Sequence, residues 1–270
     1  MYEKFYQFTE KPFNITPDSK FFFPSAIHEE ALNSLLYAIN ERRGFVVVTG
    51  EIGAGKTTII RTLLNKLSFN TKVVTITNTH LTCKELVAEI LDDLEVPYQP
   101  GTKQKLLSQL NKYLIEQLRQ DVNVVLIIDE AQNLTPTVLE EVRMLSNLET
   151  EKEKLIQIIL VGQPQLKVKL ESEKLAQFKQ RISVYYHLAF LSQEETRQYI
   201  SHRLKLVSQN GIDIFTPEAV NLIYGYSQGT PRLINLVCDS ALLSGFAYEK
   251  KSIDEKIVSE VIEERNFAKT

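Results

Sequence analysis

Short apolar runs rich in β-branched residues alternate along the first two thirds of the chain with longer segments whose apolar positions recur at helical spacing. Residues 45–49 (FVVVT), 72–77 (KVVTIT), 122–128 (VNVVLII), 156–161 (IQIILV) and 183–188 (SVYYHL) predict strands. The middle runs are almost unbroken apolar stretches, as parallel strands covered on both faces require. Between them, residues 56–67, 84–94, 103–119, 138–149 and 164–175 predict helices. Such alternation predicts a three-layer α/β domain, a parallel sheet with right-handed crossovers.

After about residue 190 the pattern changes. Residues 193–208, 217–226, 231–248 and 254–266 all predict helices, with N-caps at Ser192, Thr216, Thr230 and Ser252. Pro217 and Pro231 fall at first helical positions, where the missing N–H costs nothing. The expected organisation is a core over residues 1–190 and a small all-helical domain over residues 191–270, joined by a short hinge.

Composition narrows the class. With 43% hydrophobic and 24% charged residues, and only 10 Gly and 9 Pro, the chain is neither disordered nor fibrous. Thirty-one basic against 34 acidic residues leave a net charge of -3, so no strongly basic body points to nucleic acid, although a local basic surface stays open. The 2 cysteines, Cys83 and Cys238, lie in unrelated segments without CxxC spacing, which suits reduced thiols in a cytoplasmic protein. No secretory leader and no apolar run of roughly 18–20 residues is visible, so a soluble, cytoplasmic protein is expected.

The strongest chemical signal is Gly50-Glu51-Ile52-Gly53-Ala54-Gly55-Lys56-Thr57, which satisfies G-x-x-x-x-G-K-[ST] between a predicted strand and a predicted helix. Glycines let successive backbone N–H groups converge on phosphate oxygens, and the following helix adds the partial positive charge of its N-terminus. Lys56 is the expected partner of the β- and γ-phosphates, and the Thr57 hydroxyl the expected Mg²⁺ ligand, with Thr58 next in the cradle.

A second signal is the strand that ends abruptly in Asp129-Glu130. Two acids can simply solvate a strand end. At the carboxyl edge of a parallel sheet that also carries a phosphate loop, they fit a Mg²⁺-holding Asp129 and a general base, Glu130. The strand over residues 156–161 runs into Gly162-Gln163-Pro164, which makes Gln163 either a water-orienting residue or a plain loop-start glutamine.

Together these residues resemble the AAA+ ATPases, and more narrowly the general secretion pathway protein A (ExeA-like) family. The likeness runs from FYQFTEKPFNITPDSKFFFPSAIHEEAL through RRGFVVVTGEIGAGKTT, IIDEAQNL and ILVGQPQL to GTPRLIN, nearly the whole chain. It implies a P-loop core with a helical lid, Mg²⁺-dependent ATP hydrolysis to ADP, and ATP-dependent self-association. It implies that residues 8–23 wrap the adenine side, with Pro12 and Phe13 as an apolar wall, Phe13 being equally suited to a core role. It matches Arg232, after Pro231, to the lid arginine called sensor 2, and Arg181 to a trans-acting arginine finger. A solvated helix end and a surface salt bridge are the plain alternatives for these two arginines. His28 falls near the adenine side, with no catalytic role assigned.

Relatives commonly continue into a membrane span and a periplasmic part, so this chain is expected to be either a shorter portion or a stand-alone member. A place at the inner face of the membrane through partners is compatible with the family. The expected partner belongs to a secretion, pilus or transposition system. The alternative function is an ATP-gated, DNA-binding regulator of transposition with slow or no hydrolysis.

Overall fold

The computed structural model describes residues 1–208 and 214–267, apart from the side chains of Lys174 and Phe267. Five strands, β1 (Phe45–Gly50), β2 (Thr71–Ile76), β3 (Asn123–Ile128), β4 (Gln157–Gly162) and β5 (Ile182–Leu188), form one sheet in the order β2-β3-β4-β1-β5. Every neighbouring pair is parallel. The helices are α1 (Tyr2–Tyr6), α2 (Ala26–Asn40), α3 (Lys56–Lys66), α4 (Cys83–Asp93), α5 (Lys103–Arg119) and α6 (Pro136–Leu145). They continue with α7 (Pro164–Leu170), α8 (Ala176–Lys179), α9 (Gln193–Val207), α10 (Pro217–Ser227), α11 (Pro231–Ala247) and α12 (Glu255–Phe267).

Contacts divide the chain into two compact units. One comprises Met1–Glu29, Gly53–Thr62 and Ala189–Thr270, the other Glu30–Ile52 and Leu63–Leu188. The sequence pattern puts a boundary at residue 190. Contacts additionally group residues 1–29 and 53–62 with the helices that follow Ala189.

The second unit holds the sheet. Strands β1 and β4 are buried at every position, and β3 at every position after Asn123, which explains their unbroken apolar sequence. The outer strands β2 and β5 instead alternate half-buried or buried residues with exposed ones, only Val74 and Ile76 of β2 and Leu188 of β5 being buried, as strands at a sheet edge do. Two helices stop earlier than their periodicity predicts. After α6 the Ser146 hydroxyl donates to the Arg143 carbonyl at 2.7 Å, and after α7 the Ser172 hydroxyl donates to the Lys169 carbonyl at 2.7 Å. Serines bonded this way compete with helix continuation. The segment after α7 therefore breaks into a 3₁₀ turn, Glu173–Leu175, and the short α8.

The first unit is helical. Its core joins Tyr2, Tyr6, Phe8, Phe13 and Phe21 of the N-terminal segment to residues of α9–α12, including Tyr199, Ile223, Val237 and Val258. Each fully buried apolar side chain stabilises the unit by roughly 1.5–3 kcal/mol, which is why this aromatic-rich segment packs rather than trails. Arg203, 4% exposed, lies 4.5 Å over the Phe21 ring and donates to the Tyr199 hydroxyl at 2.7 Å. Caps follow the sequence at Ser192, which makes a capping box with Glu195, and at Thr216. Thr230 occupies the N-cap position without a side-chain hydrogen bond. Ser252 does not cap α12; its hydroxyl donates to the Ile214 carbonyl, and the Asp254 carboxylate accepts the Ile257 N–H at 3.1 Å.

Candidate functional site

The carboxyl edge of the sheet collects the motif residues of the second unit. Thr49 pairs with Gly162 and Ile128 with Leu160, so β4 lies between the strand feeding the phosphate loop and the strand carrying the acids. Gln163, one residue past β4, thus stands between Gly50 and Asp129 in the strand order. Glu51 and Ile52 lead out of β1 and are exposed, Ile52 at 60%.

The Asp129 N–H continues the β2–β3 ladder, donating to the Ile76 carbonyl at 3.0 Å. Its Oδ1 accepts the Glu130 N–H at 2.8 Å. Glu130 has φ 50 and ψ 34, the left-handed region that a non-glycine residue enters only when its surroundings hold it there. Its Oε2 accepts the Gln132 Nε2–H at 2.5 Å and the Gln163 Nε2–H at 3.3 Å. The other end of the Gln132 amide accepts the Gln163 backbone N–H at 3.0 Å. A Cβ at Gly162 would stand 2.7 Å from Gln132 Oε1, so the absence of a side chain there admits the amide. Lys169 Nζ donates to the carbonyls of Gln132 and Leu134, fixing the same turn.

Sequence reasoning brought Glu130 and Gln163 together but assigned nothing to Gln132, although the residue lies in the quoted DEAQ motif. It likewise passed over Thr49, whose buried hydroxyl meets Tyr185 Oη at 2.7 Å and His187 Nδ1 at 3.0 Å just before the phosphate loop. A threonine interrupting an apolar strand was the available signal.

In the first unit, Gly53 and Gly55 adopt φ values of +82 and +96, the conformations that let the loop curl. Lys56, 7% exposed, is the first residue of α3, whose first turn is closed by the Ile59 N–H donating to the Gly55 carbonyl at 3.0 Å. Thr57 is exposed and Thr58 half-buried. Ala54 is fully buried, and its carbonyl meets His28 Nε2 at 3.0 Å. His28 Nδ1 meets the Ser25 hydroxyl at 2.8 Å. A carbonyl only accepts, so Nε2 carries the proton and Nδ1 accepts from serine. Burial lowers the His28 pKa, favouring this neutral form.

Arg232 stands in the first turn of α11, where its backbone N–H reaches the Gly53 carbonyl at 3.4 Å. A Cβ at Gly53 would come within 2.8 Å of Arg232 Cβ and 3.1 Å of Thr230 Cγ2. The Gly-Thr-Pro-Arg turn therefore closes on the glycine of the phosphate loop, with Arg232 itself exposed and Pro231 half-buried. Pro12 is buried and Phe13 is 1% exposed, its ring edge-to-face with Phe215 at 6.0 Å, which gives Phe13 a core position. Arg181, in the second unit, is half-buried and donates to the Asn147 side-chain carbonyl and to the Ser146 hydroxyl.

The loop fits a triphosphate: two glycines in left-handed backbone lead into a helix N-terminus with a lysine at its first position. Among the described residues, no group of three or more His, Cys, Asp or Glu gathers to hold a metal. A Mg²⁺ shared by one hydroxyl, one carboxylate and phosphate oxygens needs no such group.

Comparisons with known proteins agree with the geometry. Residues 39–170 match the family model described as AAA domain. General secretion pathway protein A of Aeromonas hydrophila is 43% identical over 248 residues, which cover 92% of this chain and 45% of that protein. The chain thus spans about half the length of that relative. Among solved structures, the ADP form of Aeropyrum pernix ORC2 superposes with TM-score 0.70 at 16% identity, covering 95% of this chain and 73% of that one. Cdc6p from Pyrobaculum aerophilum gives 0.65 at 20% identity over 87% and 68% of the two chains. The Thermotoga maritima RuvB branch migration motor gives 0.59 at 19% identity over 90% and 70%. At these identities the structures bear out the expected three-layer P-loop core with its helices.

Proposed function

As the chain is an AAA+ P-loop NTPase of the ExeA-like kind, we propose that it hydrolyses ATP with Mg²⁺ and uses the turnover to assemble or remodel a partner complex. The observation that carries this reading is the glycine turn at Gly53–Gly55 that delivers Lys56 to the first position of α3. The proposed grip is the backbone from Gly50 to Thr58, with Lys56 offsetting charge on the terminal phosphates.

Water attacks the γ-phosphate in line. Glu130 accepts its proton, and Gln163, already bonded to that carboxylate, aligns the water. Arg232 reaches the phosphates from the helical unit; the contact between its backbone and Gly53 supports this role. Bound Mg²⁺ neutralises phosphate charge, and the Thr57 hydroxyl and Asp129 carboxylate are the residues that would hold it. Arg181, at present on neutral partners, is proposed to act on the nucleotide of a neighbouring copy, which makes turnover depend on assembly. Pro12 and Phe13 support the adenine side through packing. The partner is proposed to belong to a secretion or pilus system, met on the cytoplasmic side. Among the described residues, no helix is long and apolar enough to cross a membrane.

The test is Glu130→Gln. ATP turnover is expected to fall about 100-fold or more while ATP binding persists. An unchanged rate would remove Glu130 from the chemistry.

A further inference from the structure

The phosphate loop is gripped from behind by a residue outside the G-x-x-x-x-G-K-[ST] motif. His28 is 6% exposed, and its Nε2–H donates to the carbonyl of Ala54, the residue between the two left-handed glycines. Its orientation is itself fixed. Nδ1 accepts from the Ser25 hydroxyl at 2.8 Å, and the ring edge meets Phe22 with centroids 6.4 Å apart. The fit is tight enough that a Cβ at Gly55 would stand 3.2 Å from Nε2.

The consequence follows from the geometry of one peptide unit. In a trans peptide the C=O of one residue and the N–H of the next point to opposite sides of the same plane. A carbonyl of Ala54 anchored on His28 therefore turns the Gly55 N–H to the opposite face, away from His28. Gly55, at φ +96, has no Cβ to resist that orientation, and without an anchor its peptide is free to rotate. Anions are bound through such amides, and an amide already aimed avoids the ordering cost at the moment of binding.

We propose that His28 is a positioning residue for nucleotide binding, holding the Ala54–Gly55 peptide so that the Gly55 N–H faces the phosphates. This rests on the nucleotide-binding reading of the loop. It assigns His28 no contact with the nucleotide and no proton transfer. Its role is the hydrogen bond it donates, so the donor, not the ring, is what matters.

Three substitutions separate that role from packing. Glutamine places an amide N–H near the position of imidazole Nε2, phenylalanine keeps an aromatic ring without a donor, and asparagine reaches only as far as Nδ1. Affinity for ADP and ATP with magnesium is measured by titration calorimetry, alongside the nucleotide-free melting temperature of each variant. His28→Phe and His28→Asn are expected to weaken binding about tenfold, the loss of one oriented hydrogen bond, while His28→Gln stays within about threefold of wild type. The opposite order, with phenylalanine binding like wild type and glutamine weakened, would overturn the proposal in favour of simple packing. So would equal affinities in all three variants. If His28→Phe does not fold, the comparison of asparagine with glutamine decides alone. Lys56→Ala is run in parallel: wild-type protein that binds no nucleotide overturns the reading of the loop itself, and binding lost with Lys56→Ala but kept in every His28 variant overturns only the role of His28.

Discussion

Glu130 pairs an awkward backbone with a well-held side chain. Its left-handed conformation costs of order 1–3 kcal/mol, and its carboxylate is fixed by two glutamine amides. Gln132 is the hinge of that arrangement, since one amide serves both Glu130 and the Gln163 backbone. Gln132→Ala is expected to lower kcat about tenfold with nucleotide affinity unchanged, read from steady-state turnover beside titration calorimetry. His28 gives a prediction in pH. Its folded pKa lies below the ordinary 6.5, so the unfolded chain binds its proton more readily. The stability it contributes is complete above about pH 6.5 and is lost as pH falls from there toward the lowered folded value. Melting temperatures between pH 7.5 and 5 are expected to fall more steeply for wild type than for His28→Gln, and parallel profiles would contradict this. Lys56, Asp129 and Glu130 stand out as candidates in the sequence because their neighbours announce them. The Gln132–Gln163 and His28–Ala54 bonds do not show in the sequence, because their partners are tens of residues apart and only the fold brings them together.

At the scale of elements, the turn before α11 is the least forgiving place. Gly229 has φ +74, and a Cβ there would stand 1.8 Å from the Leu191 carbonyl oxygen, while its own carbonyl accepts the Leu191 N–H at 3.0 Å. Gly229→Ala is expected to destabilise the protein by about 3 kcal/mol or more, seen as a lower urea midpoint, because both backbone strain and a clash with main chain must be relieved. A loss within about 0.5 kcal/mol would show that the turn has room to move. The strands were readable from their apolar runs, and α5 agrees with its pattern from Lys103 to Arg119. The ends of α6 and α7 were not readable. Periodicity continues through Ser146 and Ser172, where each hydroxyl bonds back to a carbonyl of the helix's last turn and competes with its continuation.

At the scale of the molecule, the sequence marks the change from strands to helices near residue 190. What it does not mark is that the first 29 residues pack with the helices, since aromatic residues ahead of a sheet carry no sign of which core they join. Assembly is the prediction that belongs here. Wild-type protein is expected to elute earlier on size exclusion with ATP and magnesium than without nucleotide. Arg181→Ala should then reduce the turnover of the assembled protein about 100-fold or more while leaving nucleotide affinity intact. Equal elution across a wide concentration range would count against a finger supplied by a neighbour. The nucleotide-dependent outcomes presuppose a backbone cradle that closes on phosphate with Lys56 at its head, and calorimetric titration of the folded protein with ADP or ATP plus magnesium tests it most directly. Saturable heat that disappears with Lys56→Ala is the predicted result; no heat from wild-type protein, or the same heat from Lys56→Ala, would contradict it.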